Sequence, residues 1–210
     1  MIRSMLSRRA VLGAATAALA AAVFAVPALA ATQLTGAGSS FDFPFFSKAF
    51  YEYSQQHSDV TINYQSIGSG GGIQQFTAKT VDFGATDVPM TSAELERAGN
   101  GVVQVPVALG GVAIAYNLPS VSSLKLTRQA IVDIYLGKIA KWNDAAIAKL
   151  NPGASLPDLP IIPVHRSDGS GTTYIFTDFL SHVSADWKSS VGVGKSCLLY
   201  TSPSPRDRQK

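Results

Sequence analysis

The 210-residue sequence predicts an α/β fold. Three observations carry this: runs with strand periodicity alternate with runs of helix periodicity, three glycine and serine turns each follow a predicted strand and open a predicted helix, and 46% hydrophobic against 15% charged residues supplies a buried core. A disordered chain would hold fewer apolar residues. The formal net charge is +3, yet its excess sits at the ends, in Arg3, Arg8 and Arg9 and in Arg206, Arg208 and Lys210. Residues 31–196 hold eleven Lys/Arg and thirteen Asp/Glu, so the middle is mildly acidic and no nucleic-acid partner is expected.

The ends read as something other than fold. "MIRSMLSRRA" is cationic, "VLGAATAALAAAVFAV" is apolar and alanine-rich, and Ala28 and Ala30 form an A-x-A cleavage site, so residues 1–30 are expected to be a signal peptide. Arg8 and Arg9 suit a twin-arginine export signal, although Val11 stands where an aromatic is usual, and Sec export is the alternative. A transmembrane helix is disfavoured because a cleavage signal, not a basic flank, follows the apolar run. No cysteine follows that site to take a lipid, so a free periplasmic protein is expected. At the other end "CLLYTSPSPRD" lacks periodicity and resembles the translated frame of a transposon sequencing adaptor. Residues 197–210 are therefore expected to be a non-native tail on a truncated chain, with Cys197, the one cysteine, of no functional weight.

Between the ends the elements follow in order. "TQLTGAG" is a strand and turn, "DFPFFSKAFYEYSQQH" a helix, and "VTINYQS" a strand in which Val60, Ile62 and Tyr64 alternate with polar neighbours. The turn "GSGGG" leads to the helix "IQQFTAKT", then the strand "VDFGATD", then the helix "SAELERAG" with Thr91 or Ser92 as N-cap. "VVQVPVALGGVAIAYN" is β-rich, but Pro106 and Gly110-Gly111 make a crossing between two lobes more natural than one continuous strand. Helices are expected at "TRQAIVDIYLG" and "NDAAIAKL", a buried strand at "IIPVH", and a last helix opened by "HRSDGSGTT". Trp142, Trp187 and the aromatic set of the first helix are expected in the core.

The turns "GAGSSF", "GSGGG" and "GSGTT" share one chemistry. Glycines let backbone approach a ligand closely, the first N–H groups of a helix lack internal partners, and the helix dipole adds about half a positive charge there. Any one of them alone is most simply an N-capped helix start. Three together suit a phosphate-like anion.

"LTGAGSSF", "INYQSIGSGGG", "VDFGATDVP", "IYLGKIAKWND", "AIAKLNPG" and "RSDGSGTT" occur in that order, and the chain from about Leu34 to Val193 resembles the periplasmic phosphate-binding proteins that feed high-affinity phosphate ABC importers. The resemblance implies a two-lobed, type II solute-binding fold, with the second lobe and the return to the first incomplete. The lobes are expected at residues 31–109 and 110–196. It further implies phosphate ligands at Ser40, Phe41, Ser69, Asp87, Arg166, Ser170, Gly171 and Thr172. Phe41 and Gly171 would act mainly through backbone N–H, the serines and Thr172 also through hydroxyls, and Asp168 would pair with Arg166. Ser40 replaces a threonine common in the family and keeps its hydroxyl. The implied partners are inorganic phosphate and the permease and ATPase subunits of an importer, for a monomer with no cofactor.

In physical terms Arg166 offers a planar charged donor and Asp168 can hold it in place. Asp87 beside an anion is repulsive unless it accepts a hydrogen bond from a ligand proton, which phosphate carries near neutral pH and sulfate does not. Two alternatives are a binder of another tetrahedral oxyanion, such as sulfate or molybdate, and a secreted phosphatase reusing the same cage. "GVGKS" fails as an ATPase loop because Ser189 stands where glycine is required. No nucleophile elbow exists, since Ile67 and Asp168 occupy the first glycine positions around Ser69 and Ser170. His57, His165 and His182 lack metal-ligand spacing. No enzyme activity and no metal are expected.

Overall fold

The computed structural model describes residues 31–196; the signal-peptide and tail expectations lie outside the described residues. Three parallel strands form one sheet in the order β2-β1-β3, with β1 Thr32–Gly38 at the centre, β2 Val60–Ser66 on one side and β3 Phe83–Ala85 on the other. The register runs from Thr32 opposite Val60 to Gly38 opposite Ser66, and β3 joins at the far end, with Gly36 opposite Phe83 and Gly38 opposite Ala85. All three strands thus finish together. Parallel neighbours need crossovers, supplied here by α1 Phe43–Gln56 between β1 and β2 and α2 Gly68–Thr77 between β2 and β3. Each strand end therefore feeds a loop on the same edge, where ligands of open α/β sheets bind.

The remaining helices are α3 Ser92–Ala98, α4 Arg128–Tyr135, α5 Ala145–Leu150, α6 Gly171–Val183 and α7 Ala185–Ser190. Their starts follow side-chain chemistry. Thr91 and Glu94 form a capping box on α3, Thr127 accepts the Ala130 N–H, Asp144 the Ala146 N–H, Ser170 the Thr173 N–H and Ser184 the Trp187 N–H. Helix α7 was not anticipated from the sequence, although "SADW" carries the cap that starts it.

Apolar packing falls into three groups. Ile73, Met90 and Ala98 pack beside the sheet; Ala130, Ile134, Ile139 and Ile147 hold α4 to α5; Val132, Leu180 and Trp187 hold α4 to α6 and α7. Trp187 is fully buried and Trp142 packs partly buried on the second group, as expected. Of the α1 aromatics only Phe46 is buried, in a ring cluster with Phe50, Tyr64 and Phe83, while Phe43, Phe45, Tyr51 and Tyr53 are exposed. One helix face meets the sheet, and aromatics all round the helix cannot all share it.

Three expectations are corrected. The glycine-rich run is not a turn ahead of a helix: Gly68 through Gly72 are the opening of α2 itself. Residues 102–117 form no strand, and Val103, Val105 and Leu109 stand exposed, because no described strand pairs with them and Pro106 lacks an N–H to offer. "IIPVH" is likewise no buried strand; Trp142 N–H reaches Leu159 O at 3.0 Å and Ile161 N–H reaches Ala140 O at 2.8 Å, but Pro160 and Pro163 cannot extend that ladder, and Ile162 and Val164 are exposed. Among the described residues no helix is long and apolar enough to cross a membrane.

Candidate anion-binding site

The loop after β1, the opening of α2, the loop after β3 and the opening of α6 meet at one place. Asp87, two residues beyond β3, accepts a hydrogen bond from the Ser39 hydroxyl on one carboxylate oxygen, and its own N–H donates to Ser69 Oγ at 3.1 Å. A side chain on Gly171 would lie 2.5 Å from Ser69 Oγ and 2.6 Å from Asp87 Oδ2, so only glycine lets α6 come this close. Beside it Gly70 N–H donates to Gly169 O at 2.7 Å, joining the α2 and α6 openings through backbone. Arg166 Nε donates to Asp168 Oδ1 at 2.7 Å, its Nη2 bonds Asp168 Oδ2, and the same Nη2 donates to Ser40 Oγ at 3.3 Å.

The sequence-derived residues are placed as follows. Ser40 and Arg166 meet directly, as do Ser69 and Asp87, with Gly171 packed on both. Phe41, Asp87 and Thr172 line one trough of about 980 Å³ that continues under residues 102–112. Ser170 is buried; its hydroxyl accepts the Thr173 N–H at 3.2 Å and its N–H donates to Lys195 O at 2.9 Å. The Phe41 N–H donates to Ser39 Oγ at 3.1 Å, and its ring is exposed against Gly110. Asp168 pairs with Arg166 as expected.

Sequence reasoning missed Ser39. It is fully buried, accepts N–H groups from Phe41 and Asp42 at 3.1 and 3.2 Å, donates to Asp87, and through its carbonyl accepts the Tyr64 hydroxyl at 2.8 Å. Its signal was "GSS", where two hydroxyls follow a glycine and only the second was assigned a role. Among the described residues no cluster of His, Cys, Asp and Glu suits a metal.

The electrostatics are mixed. Burial pushes the Asp42 carboxyl above the ordinary carboxylate range, Asp87 adds to this, and the Ser39 hydroxyl opposes it. Burial and then the charges of Asp42 and Asp87 also push the Tyr64 phenol far up. Carboxylates thus crowd an edge where three helices begin, α1, α2 and α6, whose N-terminal dipoles supply the compensating field with Arg166. A carboxyl raised on folding binds its proton more tightly in the native state, so Asp42 destabilises the fold above its native pKa, and that cost fades as pH falls to the unfolded value. Asp42→Asn is expected to raise stability at neutral pH, with the gain shrinking on acidification and absent below the ordinary carboxylate value. Urea unfolding of both proteins across pH 3 to 8 checks this, and a pH-independent difference would refute it.

Comparison with known proteins gives a consistent set. The phosphate-binding protein PstS of Pasteurella multocida is 54% identical over 168 residues, covering 79% of this chain and 48% of that protein. PstS of Haemophilus influenzae is 49% identical over 178 residues, 84% of this chain and 52% of its own length. A Clostridium perfringens crystal structure, described as a phosphate ABC transporter substrate-binding protein with bound phosphate, superposes with a TM-score of 0.51 at 27% identity, covering 74% of this chain and 58% of that one. The chain spans about half the length of the curated relatives it matches. The family model of the PBP superfamily domain matches residues 25–199, and with its parallel α/β architecture and type II solute-binding fold the chain belongs to the PBP superfamily.

Proposed function

We propose that the protein captures inorganic phosphate in the periplasm, between a first lobe of residues 31–109 and a second of residues 110–196, and as a monomer hands it to the permease and ATPase subunits of an ABC importer. It does so without covalent chemistry. The observation that carries this reading is the convergence of three helix openings, one arginine and one aspartate on a single edge. The two PstS relatives are phosphate-binding proteins, and the Clostridium perfringens relative is described as the substrate-binding protein of a phosphate ABC transporter.

The ligands are proposed as Ser40, Phe41, Ser69, Asp87, Arg166, Ser170, Gly171 and Thr172, with Asp168 bracing Arg166. Ser39 joins them as the residue that holds Asp87. One Asp87 oxygen is engaged by Ser39 while the other faces the Gly171 backbone, on the side where an anion would meet α6. A protonated phosphate oxygen satisfies that acceptor; sulfate brings only lone pairs and repels it. An unmatched buried polar group costs about 1 to 3 kcal/mol, enough for roughly five- to 150-fold selectivity from this contact alone.

Calorimetric titration with phosphate and sulfate at fixed ionic strength, beside an assay for hydrolysis of p-nitrophenyl phosphate, tests the proposal. Phosphate is expected to bind, sulfate to bind more weakly, and no ester to turn over. Asp87→Asn replaces an acceptor-only group by one that also donates, and is expected to narrow the gap between the anions. Hydrolysis, or equal affinity for both anions in the unaltered protein, would overturn the reading.

A further inference from the structure

"GVGKS" fails as a nucleotide loop, and its place in the fold indicates other work. Gly192 N–H donates to Trp187 O at 2.9 Å and Gly192 O accepts the indole N–H at 3.1 Å, so the segment is fastened to α7. Gly194 N–H donates to Thr177 Oγ1 at 3.1 Å, and that hydroxyl lies 3.2 Å from Gly194 O, which fastens it to α6. Lys195 then reaches in two directions. Its carbonyl accepts the N–H of Ser170, the N-cap of α6, at 2.9 Å. Its ammonium lies 2.6 Å from Glu94 Oε1, with side-chain exposures of only 17% for Lys195 and 16% for Glu94.

Glu94 is committed on its other oxygen: Oε2 accepts the Thr91 N–H at 2.8 Å and the Thr91 hydroxyl at 3.0 Å. Thr91 lies four residues after Asp87. One residue therefore joins the α6 opening, through its main chain, to the chain segment that carries Asp87, through its side chain. Burial pushes the Glu94 carboxyl up, but hydrogen bonds from Lys195 and Thr91 outweigh it and hold the group below its ordinary value, in keeping with a charged, committed pair. The exposed pairs Lys48–Glu52, Lys138–Asp186 and Lys141–Asp158 have no such reach.

We propose that Lys195 is a positioning residue for the anion site: with Glu94 it straps the Asp87 segment to the N-cap of α6, so that the donors and the acceptor are in register before an anion arrives. Its bearing on affinity rests on the phosphate reading; its bearing on local order does not. Preassembly lowers the ordering cost of binding, and a strap that is mostly buried is weakly screened by salt.

The test uses the full chain with Lys195→Met, which keeps the stem and removes the charge, and Glu94→Gln, which retains an acceptor for Thr91. The double variant, Lys195→Arg, and Lys138→Met as a surface-pair control complete the set. Amide hydrogen exchange without any anion is read at residues 170–173 and 87–91, with Val132 and Leu180 as core references, and phosphate titration follows. Lys195→Met and Glu94→Gln are each expected to speed exchange at those two segments about tenfold and to raise the phosphate Kd about tenfold, with the double variant no worse than either single one. Lys195→Arg should restore both, and Lys138→Met should change neither. Unchanged exchange at residues 170–173, or equal acceleration in the core references, overturns the strap. A local exchange effect in a protein that binds no phosphate sinks the phosphate reading and keeps the strap. Phosphate binding left intact by Lys195→Met, despite faster local exchange, overturns its bearing on affinity.

Discussion

Arg166→Ala is expected to weaken phosphate and sulfate together, by about 2 to 4 kcal/mol, or roughly thirtyfold to nearly a thousandfold in Kd. Among the described residues the guanidinium is the one cationic side chain bonded to a proposed ligand loop, through Ser40, and it is held by two contacts to Asp168. Its partial exposure trims the effect below that of a buried fork of charged hydrogen bonds. Both anions lose the same donor, so their ratio should hold, in contrast to Asp87→Asn. Arg166→Lys should not restore binding, because an ammonium cannot engage Asp168 in two places while presenting a donor to the anion. Titration of both variants with both anions reads this out, and a phosphate affinity within threefold of the unaltered protein would remove Arg166 from the site.

Trp187→Ala is expected to cost about 3 to 5 kcal/mol of stability. The side chain is fully buried against Val132 and Leu180, in the packed group where α4, α6 and α7 meet. Truncation opens a cavity where α4, α6 and α7 pack together. It also removes the indole donor from Gly192 O. Urea unfolding followed by circular dichroism measures the loss; a decrease of less than about 1 kcal/mol would mean that the group repacks freely.

Much of the fold was legible because its signals are local. Alternation in Val60, Ile62 and Tyr64 marked β2, Thr91 or Ser92 marked the start of α3, and "HRSDGSGTT" marked that of α6. Residues 102–117 and 161–165 carry equally plain strand composition and form no strand here, because a strand is a pairing and composition names no partner. Asp42 shows the same gap at the site: its identity says carboxylate, and only its burial, with Asp87 beside it, says that its pKa is raised.

By itself the sequence determined the helix starts other than those of α2 and α7 and excluded a nucleophile elbow and a nucleotide loop, since each depends on residues within a few positions of one another, while the candidate anion ligands rest on its resemblance to phosphate-binding proteins. The tertiary structure alone decided that Ser39 rather than Ser40 braces Asp87, that Arg166 reaches Ser40 across 126 residues, and that Lys195 ties Ser170 to Glu94 across 101. The reason is physical. A cap or a turn is an interaction between chain neighbours, whose geometry their own dihedrals set, whereas a contact between distant segments exists only once the sheet and its crossovers have brought their ends to one edge.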